Sequence, residues 1–259
     1  MGSAAVRPQR RAILTGGLAA ATAAVLTGCS SDKDSANSVN PANAGAEASS
    51  PSPSAGPRPD SAKAAYARLM KGNERWVNGV LQHPNQDARR RAAVADAQNP
   101  YGVIVSCIDS RVPPELVFDT GIGDLFVIRT GGQVVQPVVV GSIEYGPLTS
   151  GTPLVVVLGH QNCGAVKAAY KALKEDEKLP GSLQSIADVL RPAYEETVKT
   201  KHADPIDAMI RLHANRTAAE LRSDPALTPL VKKGDLAVVS AYYSLETGRV
   251  EVLTGAPAA

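Results

Sequence analysis

The chain has 259 residues, 44% of them hydrophobic, and a formal net charge of +2. That composition suits one globular domain with appendages, and the near-neutral charge excludes a strong pull toward nucleic acid or acidic lipid. Three cysteines, Cys29, Cys107 and Cys163, are too few for a disulfide scaffold, so each asks for its own explanation.

Residues 1–28 read as a signal peptide. Arg7, Arg10 and Arg11 make a basic start, and an uncharged stretch rich in Ala, Leu and Gly runs from Ala12 to Gly28, short for a membrane span. Arg10-Arg11 resembles a twin-arginine export signal. Leu26-Thr27-Gly28-Cys29 resembles a lipobox, in which the Cys29 thiol would be lipidated and become the first residue of the mature chain. An ordinary signal with a chance cysteine, or an uncleaved anchor, is the alternative. Residues 29–59 are mostly Ser, Ala, Asn, Gly and Pro with almost no large apolar residue. Such a segment cannot bury enough surface to offset its ordering entropy and reads as a disordered tether. A folded domain is expected over residues 60–255. These signals place the protein outside the cytoplasm, as a membrane lipoprotein held only through its lipid anchor.

Asp60 is the expected N-cap of a first helix whose apolar face includes Ala64, Ala65, Leu69 and Trp76. Four runs follow that are rich in Val, Ile and Leu without polar alternation: Gly102 to Ser106, Leu125 to Arg129, Leu154 to Leu158 and Leu236 to Ser240. These suit parallel strands buried on both faces. Arg249 to Leu253 alternates like an edge strand. Helix-like stretches lie between, notably Gly164 to Glu177, Leu183 to Lys199 and Pro205 to Arg222. Strands alternating with helices predict an α/β fold with a mostly parallel central sheet.

The chemistry sits where strands end. Cys107-Ile108-Asp109-Ser110-Arg111 follows the first run, and Gly159-His160-Gln161-Asn162-Cys163-Gly164 follows the third. Ligand sites in open parallel sheets lie beyond the carboxyl ends of strands, so Cys107, His160 and Cys163 can converge there. Two thiolates and an imidazole suit zinc, and three protein ligands leave one position open, as catalytic sites require. A Cys107–Cys163 disulfide, unligated core cysteines and a purely structural zinc compete with this reading.

With both motifs in place, the chain resembles the β-carbonic anhydrase family over about residues 60–253. Gly72-Asn73 before Trp76, Asp124 to Val127 before Arg129, and Ser142 to Gly146 extend the match. The resemblance implies a zinc enzyme, one ion per chain, that hydrates carbon dioxide to bicarbonate and a proton. It implies an N-terminal helical arm that wraps a partner, and a homodimer or higher homo-oligomer. Carried over by position, Cys107, His160 and Cys163 hold zinc. Arg111 draws Asp109 off the metal, so that Asp109 accepts a hydrogen bond from the attacking hydroxide. In a closed state Asp109 becomes a fourth ligand. Gln98, Phe126, Tyr145 and the Gly164 N–H match substrate-binding positions, several of them supplied by the neighbouring subunit in the plant-type arrangement. Thr130-Gly131-Gly132-Gln133 departs from the family's usual Asn-Ala-Gly-Asn. Ile104 stands where members with an allosteric bicarbonate pocket carry Trp, and Ile108 has no evident role. His83, His202 and His213 fit no pattern and read as surface or structural residues. A same-fold hydrolase of carbon disulfide or carbonyl sulfide is one competing function. A non-catalytic extracytoplasmic zinc-binding protein is the other, and the Asp109–Arg111 pair argues against it, because storing zinc needs neither residue.

Overall fold

A computed structural model of the chain describes residue 54 and residues 56–258. The expected signal peptide, Cys29 and most of the expected tether lie outside these residues. Just ahead of the domain boundary read from sequence, Arg58 donates to the carbonyls of Asn99, Pro100 and Gly151.

In chain order the elements are α1 (Ala62–Val77), α2 (Ala88–Ala93), β1 (Gly102–Cys107), α3 (Pro114–Val117) and β2 (Leu125–Thr130). A 3₁₀ turn (Gly131–Gln133) leads to α4 (Pro137–Ser150), β3 (Leu154–His160), α5 (Gly164–Glu175), α6 (Leu183–Thr197) and α7 (Pro205–Arg222). Then come α8 (Thr228–Lys233), β4 (Ala237–Tyr243) and β5 (Val250–Thr254). The five strands form one sheet in the order β2-β1-β3-β4-β5. The first four run parallel and β5 pairs antiparallel to β4. All the expected strands and the three long expected helices are present, with ends shifted by a few residues.

Alternation along the strands builds a core on each face. Ile104, Leu154, Val156, Leu158 and Val239 meet Ala65 and Leu69 of α1 on one side. Val103, Val105, Val155, Val157 and Val238 meet Ala214, Ala218 and Leu221 of α7, and Ile143 of α4, on the other. A third cluster includes Cys107 and Cys163, together with Val166, Leu190 and Ile210 of the surrounding helices. The N-terminal helix thus belongs to its own chain's core, and whatever it offers a partner comes from its outer face. Its family-matching Asn73 fastens it there: the side-chain amide donates to the Val117 and Gly248 carbonyls, and its oxygen accepts from the Val250 N–H.

Three local features differ from expectation. Ser61, not Asp60, caps α1, its hydroxyl accepting from the Ala64 N–H; both types cap well, and geometry decides between them. β2 was expected to be buried on both faces but is half-buried throughout, because it is an edge strand. Its composition matches that of the inner strands, so nothing in it marks the edge. α4 is the third. Val138, Val139 and Val140 together with Gly141, Gly146 and Pro147 make weak helix-forming sequence. Pro137 at the first turn and Gly151 in the left-handed region at the C-cap delimit it. Gly146 lets α4 lie close on the sheet, since a Cβ there would come within 2.6 Å of Val103 and 3.3 Å of Phe126.

Candidate active site

β1 and β3 are neighbours and parallel, so their carboxyl ends deliver Cys107 and His160 to the same edge of the sheet. Cys163 is the N-cap of α5, one short loop after His160. The Sγ atoms of both cysteines and a ring nitrogen of His160 lie within 4.8 Å of one another, and all three residues are buried. The thiols are free, with sulfurs 3.9 Å apart, far beyond the ~2.05 Å of a disulfide bond.

His160 Nδ1 lies 2.9 Å from the Gln161 carbonyl, which can only accept, so Nδ1 carries the proton. Nε2 is then a bare lone pair. It is buried with no hydrogen-bond partner, a costly state for a polar atom unless a ligand completes it. The sulfurs are poised in the same way. Cys107 is held down to about 4, first by the hydrogen bond from the Cys163 thiol and further by the Gly132 N–H, against the opposing effect of burial. The same bond and burial push Cys163 up, although the N–H groups of Val166 and Ala165 at the start of α5 favour its thiolate. One proton shared between two thiols is the place a divalent cation takes. Two sulfurs, an orphaned imidazole nitrogen and a first thiolate that forms readily fit zinc.

Beside this cluster Arg111 grips Asp109 with both arms: Nε to Oδ1 at 2.9 Å and Nη2 to Oδ2 at 2.8 Å. The Arg111 N–H adds a third bond to Oδ1, and Nη2 also reaches the Asn162 carbonyl. The Arg111 side chain, more than its other partners, holds the Asp109 carboxyl down to about 2. Asp109 Oδ2 nevertheless lies only 4.0 Å from His160 Nε2. Arg129 supports the loop from the neighbouring strand, donating to the carbonyls of Cys107 and Asp109. The Gly132 N–H points at Cys107 Sγ from 3.3 Å. Sequence reasoning did not assign these roles to Arg129 and Gly132. The register that sets Ser106 and Cys107 against Arg129 and Thr130 is a product of the sheet.

A family model described as carbonic anhydrase matches residues 102–250, more than half of the chain and all of this constellation. The carbonic anhydrase of Mycolicibacterium smegmatis is 41% identical over 190 residues, which span 73% of this chain and 92% of that one. The chain belongs to the carbonic anhydrase family. Its fold is that of the β class. The β-carbonic anhydrase CcaA superposes with a TM-score of 0.60 at 24% identity, covering 73% of this chain and 95% of that chain. A tetrameric β-carbonic anhydrase of Sordaria macrospora superposes with a TM-score of 0.57 at 20% identity, covering 74% and 98%. The activity of the protein is accordingly the reversible hydration of carbon dioxide.

Within this carbonic anhydrase the expected substrate-binding residues divide into two groups. Gly164 begins α5 directly after Cys163 and is exposed, with its backbone beside the Cys107–His160–Cys163 cluster. Gln98, Phe126 and Tyr145 do not join it. Gln98 is exposed in the loop before β1, whereas Cys107 ends that strand. At ~3.3 Å per residue the strand alone sets the two ends roughly 17 Å apart. Phe126 pairs with Val103 near the same far end, and Tyr145 of α4 packs edge-on against it with ring centroids 5.8 Å apart. One chain therefore gathers these three at the end of the sheet opposite its own cluster. Ile108 is 62% exposed beside Asp109. Ile104 is fully buried, and Arg129 is committed to the Cys107–Asp109 backbone. Of the remaining histidines, His83 and His202 are exposed and His213 is buried.

Proposed function

We propose that this carbonic anhydrase is a zinc enzyme carrying one ion per chain on Cys107, His160 and Cys163. The observation that carries the reading is the unpartnered, buried Nε2 of His160 facing two free thiols within 4.8 Å. Bound there, zinc supplies a Lewis acid that makes hydroxide available from water near neutral pH. The chain's own residues do the rest. Arg111 fixes both oxygens of Asp109, so the carboxylate stays beside the cluster as an ionised hydrogen-bond acceptor. Asp109 takes the proton of the attacking oxygen into a hydrogen bond and so aims that oxygen's free lone pair at carbon. The Gly164 N–H, at the positive end of α5, is placed to stabilise the negative charge that grows on the substrate oxygens.

The catalytic unit we propose is a homodimer. Gln98, Phe126 and Tyr145 supply an amide and an apolar wall to the partner's cluster, since they cannot reach their own. The surface that carries them suits such pairing. β2 has an open edge among the described residues, and α4 exposes Val138, Tyr145 and Leu148 at 79%, 51% and 51%. An apolar row beside an unpaired strand edge is a surface that association covers.

The protein is further proposed to be exported and anchored through a lipid on Cys29, with the tether spacing the domain from the membrane. The basic start, apolar stretch and lipobox-like Leu26–Cys29 support this. No helix among the described residues is long and apolar enough to cross a membrane.

Zinc analysis of the purified protein beside a stopped-flow carbon dioxide hydration assay tests the reading. One zinc per chain with hydration activity is expected, and activity that survives complete removal of metal would contradict it.

A further inference from the structure

Gln161 follows His160 directly, and both its backbone and its side chain are held from outside the loop that carries it. Its carbonyl lies 2.9 Å from His160 Nδ1 and keeps the proton there, which leaves Nε2 bare toward the two sulfurs. That carbonyl belongs to the peptide unit ahead of Asn162, whose backbone is left-handed with φ of 54°. Asparagine enters that region more easily than most residues, and the turn it makes brings Cys163 back to the cluster. Rotation of the peptide unit would swing the carbonyl off the imidazole. What resists it reaches Gln161 from the end of β4 and the turn that joins β4 to β5. The Gln161 N–H donates to the Tyr243 carbonyl at 2.9 Å. Its side-chain Oε1 accepts from the Ser244 hydroxyl and the Glu246 N–H, each at 3.3 Å, and its Nε2 donates to Glu246 Oε1 at 3.0 Å. Both ends of the amide are thereby used. The turn is a firm support. The Gly248 N–H returns to the Ser244 carbonyl, the Ser244 N–H to the Arg249 carbonyl, and Asn73 of α1 donates to the Gly248 carbonyl. Trp76 Nε1 of the same helix donates to the Tyr243 hydroxyl.

We infer that Gln161 is a positioning residue for the metal centre: its side-chain amide ties the loop after β3 to the β4–β5 turn and so keeps the Gln161 carbonyl on His160 Nδ1. A carbonyl on the far nitrogen of a metal-binding imidazole fixes its tautomer and ring orientation and raises its basicity. Gln161 therefore acts through His160. The inference rests on His160 being a zinc ligand.

The test uses the full protein with isotopically labelled histidine, followed by NMR, and zinc affinity measured by chelator competition. The His160 Nδ1–H is the imidazole proton whose signal shifts most when zinc is added. Gln161→Met keeps the length and removes the amide. In that variant the Nδ1–H should exchange with solvent about tenfold faster than in the unaltered protein, and zinc affinity should fall about tenfold. Glu246→Gln keeps an acceptor oxygen for the Gln161 amide and should change neither. If Gln161→Met fails to fold, Ser244→Ala combined with Glu246→Ala takes its place, removing two partners of the amide while Gln161 stays. Exchange and affinity unchanged in the variant lacking the tie, even with lowered thermal stability, would overturn the inference and leave Gln161 a loop residue. Absence of zinc binding by the unaltered protein would overturn the zinc reading itself, and the inference with it.

Discussion

Asp109 Oδ2 lies 4.0 Å from His160 Nε2 while both carboxylate oxygens are bound by Arg111. A short movement separates an aspartate that orients the attacking oxygen from one that fills the open position. Arg111 alone decides between them, so Arg111→Ala should keep its zinc and lose turnover by about 100-fold or more. Asp109→Ala should also keep zinc and lose turnover to a similar degree, because the acceptor is gone. Zinc content and hydration rate measured together check this. Turnover unimpaired in Arg111→Ala would remove the dyad from the mechanism. Because Asp109 is held down to about 2, the pair stays ionised across the neutral range, and pH dependence of turnover there must arise elsewhere in the site.

Acid stability should carry the mark of His213. An unfolded histidine titrates near 6.5, whereas burial lowers this one to about 4. Between those values the unfolded chain binds a proton that the folded chain refuses. The contribution is therefore complete above about pH 6.5 and lost as pH falls toward about 4, amounting to about 3 kcal/mol. Urea unfolding at a series of pH values should show this slope in the unaltered protein and a flatter curve in His213→Asn. Asp109 and Asp119, both held below the ordinary carboxylate range, add further losses only in stronger acid.

Pairing through the face that carries α4 and β2 has a direct test. Tyr145→Glu places a charge in an exposed apolar row and should give a monomer by light scattering. That monomer should bind zinc normally and hydrate carbon dioxide at least tenfold more slowly, since its cluster lacks the partner's wall. A fully active monomer would assign Gln98, Phe126 and Tyr145 to stability or to no role.

The anchor is tested by Cys29→Ala, which should move the protein from the membrane fraction to the soluble fraction. Arg10-Arg11→Lys-Lys should block export. An unchanged partition in the first variant would count against lipidation, and continued export in the second against the twin-arginine route.

Much of this was legible in the residues. Four Val/Ile/Leu runs and the helices between them specify a parallel α/β sheet, because buried strands tolerate no polar alternation. Cys107, Asp109, Arg111, His160 and Cys163 could be named because each motif directly follows a strand, and strand ends converge. What could not be read depends on neighbours distant in sequence. Leu125 to Thr130 looks like an inner strand because strand order is not written in composition. α4 is made of residues that disfavour helix, and sheet contacts around Gly146 hold it. Arg129 reaches the Cys107 carbonyl through sheet register, and Gly132 reaches the Cys107 sulfur from the turn that follows β2. Gln98, Phe126 and Tyr145 were expected at the substrate from the family resemblance, yet only three-dimensional placement reveals that their own cluster lies at the other end of the strands.

The most direct test of the central claim compares the unaltered protein with His160→Ala, measuring bound zinc and carbon dioxide hydration on the same samples. In the proposed reading Cys107, His160 and Cys163 are one ligand set, so loss of one member should empty the site. The account predicts one zinc per chain and rapid hydration in the first, and little zinc with no hydration above background in the second. Full zinc content or undiminished hydration in His160→Ala would contradict it.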